Sequence, residues 1–418
     1  MTLREERGKR SDADQMARIG GLLYPQQNQV RNVHDLSGLW RFQLDPEEEG
    51  EANGWFDALP DPRQIPVPCS WNDLFDDARN YLGLAWYQAE TWIPSSWRGQ
   101  RLFLRVGSAN YHAKVWVNGN VVAEHFGGHL PFVTDITGEV QWEQPNIIAI
   151  SVENEQLPER VPPGPVPGGS GIASIMRGFP ATTYDFFPYA GLHRPVVLFS
   201  VPPAAHIDDI TVVTSIDGGD GIVDVTVNAT GSYGGAGAIR LGDKETRLEF
   251  RDGLAEARVR VPKARFWGPD DPYLYSLAVS LVDEEYVTDR YSLEIGIRTV
   301  EVRGDQLLLN GQPITLTGFG KHEDFPLTGR ALNLPMWIRD HELMRWAGAN
   351  SYRTSHYPYA EEAMRLADRL GVLVINETPA VGLNFNDAGE LNSRRFDQCL
   401  PHLRELVARD KNHPSTIM

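Results

Sequence analysis

Three short runs toward the C-terminus place groups that can hold or move protons directly after apolar, strand-like segments. "GKHEDFP" carries His322, Glu323 and Asp324, "RTSHYPY" carries Arg353, His356 and Tyr357, and "NETPA" carries Asn376 and Glu377. In parallel α/β barrels the reactive side chains stand at the C-terminal ends of the strands. Core packing favours apolar residues at such positions, so polar clusters at successive strand ends predict a pocket for a polar ligand. Taken singly, His356 also fits a buried, hydrogen-bonded histidine and Glu323 a solvated loop charge.

A second cluster lies far upstream in "YDFFPYAGLHRPVVLF", where Asp185 stands among aromatic residues ahead of a Gly turn. Aromatic faces with one carboxylate suit a sugar ring, which offers apolar CH surfaces to stack on and hydroxyls to donate. The competing reading is a surface turn capped by the Asp185 carboxylate.

The elements that must position these groups fall into three regions. Residues 28–201 read as short β runs punctuated by Pro, Gly, Asn and Asp, the pattern of a jelly-roll sandwich. "AKVWVNGNVVAEHFGG" signals a hairpin turning at Asn118, Gly119 and Asn120. "LPERVPPGPVPGGSGIA" has linker composition, but strand-like sequence resumes after it, which predicts a mobile loop inside the domain. Residues 202–302 alternate cleanly, with Val223, Val225 and Val227 on one face and Asp224 and Thr226 on the other, as do Ala257, Val259 and Val261. That spacing predicts an immunoglobulin-like sandwich.

Residues 303–418 change period. "PITLTGFG" and "VLVINETP" suit strands buried on both faces. Helical stripes lie between them, one through Met336, Trp337, Leu343, Met344 and Ala347 and one through Ala360, Ala363, Met364, Ala367 and Leu370. A third helix is predicted near Leu400 to Arg409, with Pro401 at its start. The alternation is βαβ logic and demands a parallel sheet. The closing "NHPSTIM" reads as a loop followed by the first residues of a further buried strand.

The chain has 418 residues, 56 acidic against 39 basic, and a formal net charge of −17. That balance argues against sequence-independent nucleic-acid binding and against adhesion to anionic membranes. Cys69 and Cys399 are too few and too far apart for a disulfide framework or a metal site and read as small buried hydrophobes. The N-terminal 27 residues are charged, lack an apolar core and read as a disordered tail without signal or anchor. No window approaches the ~18 apolar residues of a membrane span, and a cytoplasmic location is expected.

The succession "DFFPYAGLHR", "GFGKHED", "ANSYRTSHYPYAEE", "ETPAVG" and "RDKNHPS" resembles glycoside hydrolase family 2, in the forms of its β-glucuronidase branch. The likeness runs from about residue 28 to Met418. It implies a jelly-roll sugar-binding domain, an immunoglobulin-like sandwich and the first part of a TIM (β/α)8 barrel. It also implies retaining cleavage of β-D-glucuronides by two glutamates, with no metal or organic cofactor and a small-molecule glycoside as partner. By the resemblance Asp185 contacts sugar hydroxyls, His322 lines the sugar subsite, Arg353 helps orient the nucleophile and His356 completes the wall, with Asp324 and Glu377 as active-site support. Asn376 stands where the family has Asp, and Pro188 where glucuronidases have Asn.

Retaining hydrolysis needs two carboxyls about 5 to 5.5 Å apart. In the family both follow "NHPS..M", one in "W...NEP" and one near the seventh strand, as does an Asn-x-Lys element gripping the sugar carboxylate. The resemblance therefore places no catalytic glutamate within these residues, and the chain is expected to be an N-terminal portion, inactive alone, whose full-length form can be a homo-oligomer. Two other readings remain: a non-catalytic carbohydrate-binding protein using the jelly-roll alone, and a β-galactosidase or β-mannosidase of the same family.

Overall fold

The computed structural model describes residues 22–166, 180, 182–284, 286–384 and 386–418. The expected tail falls outside this range up to residue 21, and so does most of the Pro/Gly-rich loop, from residue 167 to 179.

The N-terminal sandwich packs a six-stranded antiparallel sheet against a four-stranded one. Ile150 of the central strand Asn146–Glu153 sits opposite both Tyr87 and Val115, so one residue joins three strands in the same core layer. Trp40, Phe42, Trp71 and Tyr87 fill that core with Leu104, Ile150 and Leu198. The hairpin forms as the sequence requires, with Asn118 at φ 51° and Gly119 at φ 84° between His112–Val117 and Asn120–Phe126. A small third sheet matters more for function. Its central strand, Gly191–Leu192, pairs with Cys69–Ser70 and Ala109–Asn110 and anchors the loop that carries Asp185.

The second sandwich follows its alternation. Val223, Val225 and Val227 are buried, while Asp224 faces outward and pairs with Arg258 at 2.6 Å. In the neighbouring strand Leu254–Val261, Ala255 and Val259 are buried, with Ala257 and Val261 at the margin of the core.

An antiparallel meander, Val300–Arg303, Gln306–Leu309 and Gln312–Pro313, crosses the expected boundary at residue 303. The parallel sheet follows, ordered Gly318–Lys321, Ser351–Thr354, Leu373–Ile375. Val374 bridges Thr416 in parallel, and Asn376 N donates to Met418 O at 2.8 Å, so the "STIM" residues lie as the beginning of a fourth strand. The first strand departs from expectation. It begins at Gly318, and Phe319 is half exposed because no further strand covers its outer edge among the described residues.

The helices also differ in detail. Leu334–Trp346 and Glu361–Leu370 bury Trp337, Met344, Ala363, Met364 and Ala367, but Leu343 and Leu370 face outward. The third runs Gly389–Asp410, starting well before Pro401, which sits in its interior. A proline there costs about 3 kcal/mol. The upstream turns persist because Arg395 is buried, pairing with Asp387 at 2.6 Å and donating to Pro158 O at 2.8 Å. Cys69 is buried, whereas Cys399 on this helix is only half-buried.

Buried polar contacts fasten the three regions together. Arg105 of the first sandwich pairs with Glu361 of the second helix, and Arg31 makes a bidentate pair with Asp289 at 2.8 and 2.6 Å. Arg298 of the second sandwich donates to Pro414 O and Thr416 O, both at 2.7 Å, and so braces the closing strand. Residues 22–27 correct the tail assignment: Leu22 is buried, Tyr24 OH donates to Glu362 at 2.8 Å and Gln26 Nε2 donates to Ser292 O at 2.6 Å. The signal for that order lies in partners more than 260 positions away, which no local window contains.

Candidate active site

The strand ends bring Arg353, His356 and Glu377 into one cluster. Glu377 Oε1 accepts from Arg353 Nη1, Glu377 Oε2 lies 2.9 Å from His356 Nδ1, and Glu377 N donates to Thr354 Oγ1 at 2.9 Å. Both oxygens of Glu377 are thus engaged, which fixes the imidazole and guanidinium more than it frees a carboxylate to react. His322 stands beside them, its ring centroid 5.7 Å from that of His356. Burial lowers the His322 pKa, as do the charges of Arg330 and His356, while Asp324 and Asp185 act in the opposite sense. A neutral imidazole follows, suited to hydrogen bonding with a sugar hydroxyl in either direction.

Glu323 is not a solvated loop charge. It is 2% exposed, its Oε1 accepts from Ala360 N at 3.0 Å and its Oε2 lies 3.5 Å from Arg194 Nη2. Burial raises its pKa against the pull of Arg194. Its neighbour Asp324 is partly exposed and sits 3.8 Å from Arg330 Nε. In sequence these two carboxylates look alike; one is buried against the first sandwich and the other stays partly exposed beside Arg330.

Asp185 arrives from the first sandwich. Its carboxylate is exposed, and among the described residues no hydrogen bond caps a turn with it. The adjacent Phe186 is buried, with ring centroids 5.3 Å from His322, 6.4 Å from His356 and 5.5 Å from Tyr357. Tyr184 and Phe186 belong to the same apolar cluster as Phe325, Trp337, Tyr352, Tyr357 and Tyr359. Pro188 is buried at the turn, where Tyr189 N donates to Phe187 O at 2.8 Å, and Tyr189 OH anchors to Asp73 at 2.8 Å.

Asn376 has a defined role. Its Nδ2 donates to Asp410 Oδ2 at 2.9 Å, and Asp410 also accepts from Arg409 Nε and Nη2, each at 2.7 Å. An amide supplies the donor that an ionised carboxylate lacks.

A cavity of about 380 Å³ is lined by Phe319, Gly320, Lys321, His322, Asp340, Leu343 and Met344. His322 is the one member of the polar cluster in that lining; the others come from the first parallel strand and the helix Leu334–Trp346, and Glu377 and Asp185 are not among them. Among the described residues no set of three or more His, Cys, Asp or Glu side chains is grouped to hold a metal.

Comparison with known proteins extends the geometry. Residues 33–202 match the glycosyl hydrolases family 2 sugar binding domain, 205–298 the glycosyl hydrolases family 2 domain, and 300–418 the family 2 TIM barrel domain. A β-glucuronidase of Paenibacillus borealis is 40% identical over 95% of this chain and 68% of its own length. The chain belongs to glycoside hydrolase family 2. The β-glucuronidase of Canis lupus familiaris is also 40% identical, over 96% of this chain and 65% of its own. A structure of the Ruminococcus gnavus β-glucuronidase in complex with D-glucuronic acid superposes with a TM-score of 0.86 at 36% identity, covering 96% of this chain and 68% of that one. The chain thus spans about two thirds of the length of these family 2 relatives. Arg330 at the site has no motif around it in the sequence and acquires its partners, Ser70 and Phe187, only in the fold.

Proposed function

We propose that these residues form the sugar-hydroxyl wall of a β-glucuronidase that cleaves β-D-glucuronides by retaining, two-glutamate displacement. One observation carries the reading: the sandwich loop bearing Asp185 packs through Phe186 onto the strand ends bearing His322, Arg353, His356 and Glu377. Two domains far apart in sequence converge on one polar pocket floored by aromatic rings, which is the chemistry a pyranose requires. Glu377, held by Arg353 and His356, acts as a positioner. By the family resemblance the reacting carboxyls lie in the part of the relatives that these residues do not span, and the relatives' glucuronidase names support the substrate class.

The test is ligand-observed NMR with methyl β-D-glucuronide on the chain and on Asp185→Ala and His322→Ala. Saturation transfer that weakens in both variants is expected. Transfer that survives His322→Ala intact would favour binding by the sandwich alone, and the two-domain pocket would be abandoned.

A further inference from the structure

Arg330 lies in the loop after the first parallel strand and is 2% exposed. Its Nη2 donates to Phe187 O at 3.1 Å, two residues from Asp185. Its guanidinium lies 4.1 Å from the ring centroid of Tyr357 and 4.9 Å from that of Phe186. Nε and Nη1 have no hydrogen-bond partner among the described residues and are shielded from solvent. A buried guanidinium without a full set of acceptors is costly, and here the facing aromatic rings provide the compensation. Asp324, 3.8 Å from Nε, is the nearest countercharge.

The loop around Arg330 is itself fixed to the first sandwich. Arg330 N donates to Ser70 Oγ at 3.1 Å, Ser70 N donates to Thr328 O at 3.1 Å, and Leu332 N donates to His193 O at 2.8 Å. Gly329, at φ 59°, approaches Ser70 so closely that a Cβ would lie 2.5 Å from its hydroxyl. Tyr357 continues the chain of contacts on the other side: its OH accepts from Glu323 N at 3.1 Å and lies 3.4 Å from His322 Nδ1.

We propose that Arg330 is a positioning residue that clamps the Asp185 loop against Tyr357 and so sets the spacing between Asp185 and His322. It does not touch the sugar, because its nitrogens are enclosed. The purpose of that spacing rests on the sugar-site reading above, but the clamp is tested without substrate, so the two can fail separately.

The experiment is hydrogen–deuterium exchange of the 418-residue chain, read by mass spectrometry, with the His322 titration followed by NMR. In Arg330→Met, amides of Phe186, Phe187 and Tyr189 should exchange about tenfold faster or more, while strand Asp220–Ala229 of the second sandwich keeps its protection. The His322 pKa should rise, because a repelling cation has gone. Arg330→Lys keeps the charge and loses the planar fork, so the His322 titration should stay in place and loop exchange should rise by an intermediate factor. Unchanged loop exchange in a folded Arg330→Met, or equal acceleration throughout the chain, would overturn the clamp. If Arg330→Met does not fold, unchanged loop exchange in Arg330→Lys overturns it equally.

Discussion

Phe186 of the first sandwich rests with its ring centroid 5.3 Å from the imidazole of His322, at the end of the first parallel strand. Phe186 is buried and Asp185 beside it is not, so an anchoring ring and a solvent-facing carboxylate are adjacent residues. Phe186→Ala should therefore lower stability by about 3 kcal/mol, whereas Asp185→Ala should change it by no more than about 0.5 kcal/mol. Thermal melts of the two variants decide this; equal losses would make the loop a single structural unit with no free carboxylate.

Protonation should weaken the junction between the two sandwiches. His206 Nδ1 faces Pro202 O at 3.3 Å and Thr230 Oγ1 at 3.2 Å, and its ring packs edge-on to Phe103. Burial lowers its pKa from 6.5 to about 4, helped by Arg31 and Arg101 and opposed by Asp289. The unfolded chain binds this proton first, so the stabilisation is present above pH 6.5 and is lost as pH falls toward 4, by about 3 kcal/mol. Melting temperature against pH should fall less steeply for His206→Gln than for the parent over that window; parallel curves would remove His206 as the cause.

His413 should act in the opposite direction. Its Nδ1 lies 2.5 Å from Asp368 Oδ2, and Asp368 Oδ1 accepts from Ser415 N at 3.0 Å, which fixes the turn before the closing strand. Burial alone lowers the His413 pKa, but the Asp368 carboxylate outweighs it and the net shift is upward. This contribution is complete below the ordinary histidine pKa and disappears as pH rises through the folded value. His413→Asn should cost more stability at pH 6 than at pH 9, by urea unfolding. A cost independent of pH would mean that the ion pair adds nothing beyond packing.

Legibility in the sequence tracked the distance between partners. The alternation of Val223, Val225 and Val227 reports a sheet face because the relevant neighbours are two residues apart. His322, Arg353, His356 and Glu377 were visible as polar residues where a strand end should be, and the fold places them together. The opposite fates of Glu323 and Asp324 depend on Arg194 and Arg330, and that choice is made only in three dimensions. Arg330 and the early start of the third helix were hidden for the same reason: Phe187, Ser70 and Pro158 lie 143, 260 and 237 positions from their partners.

The outer faces of two helices should drive association of this chain. Ile338 and Trp346 on one helix and Phe396, Leu403 and Val407 on another are exposed, alongside Phe319 on the uncovered strand edge. Apolar surface of this kind is an association site. Sedimentation velocity should show concentration-dependent oligomers that diminish in Ile338→Lys with Val407→Lys, without a lower melting temperature. A parent that remains monomeric at high concentration would contradict this.

The central claim is that Asp185, carried by the first sandwich, binds the sugar at the strand ends. The most direct measurement is kcat/KM for p-nitrophenyl β-D-glucuronide in residues 1–418 joined to the C-terminal third of the Ruminococcus gnavus relative, compared with the same fusion bearing Asp185→Ala. A charge-assisted hydrogen bond to a hydroxyl is worth roughly 1.5 to 3 kcal/mol, so kcat/KM should fall about tenfold to a hundredfold or somewhat more, with the melting temperature unchanged. An unchanged kcat/KM in an active fusion would return Asp185 to an ordinary surface turn and contradict the account.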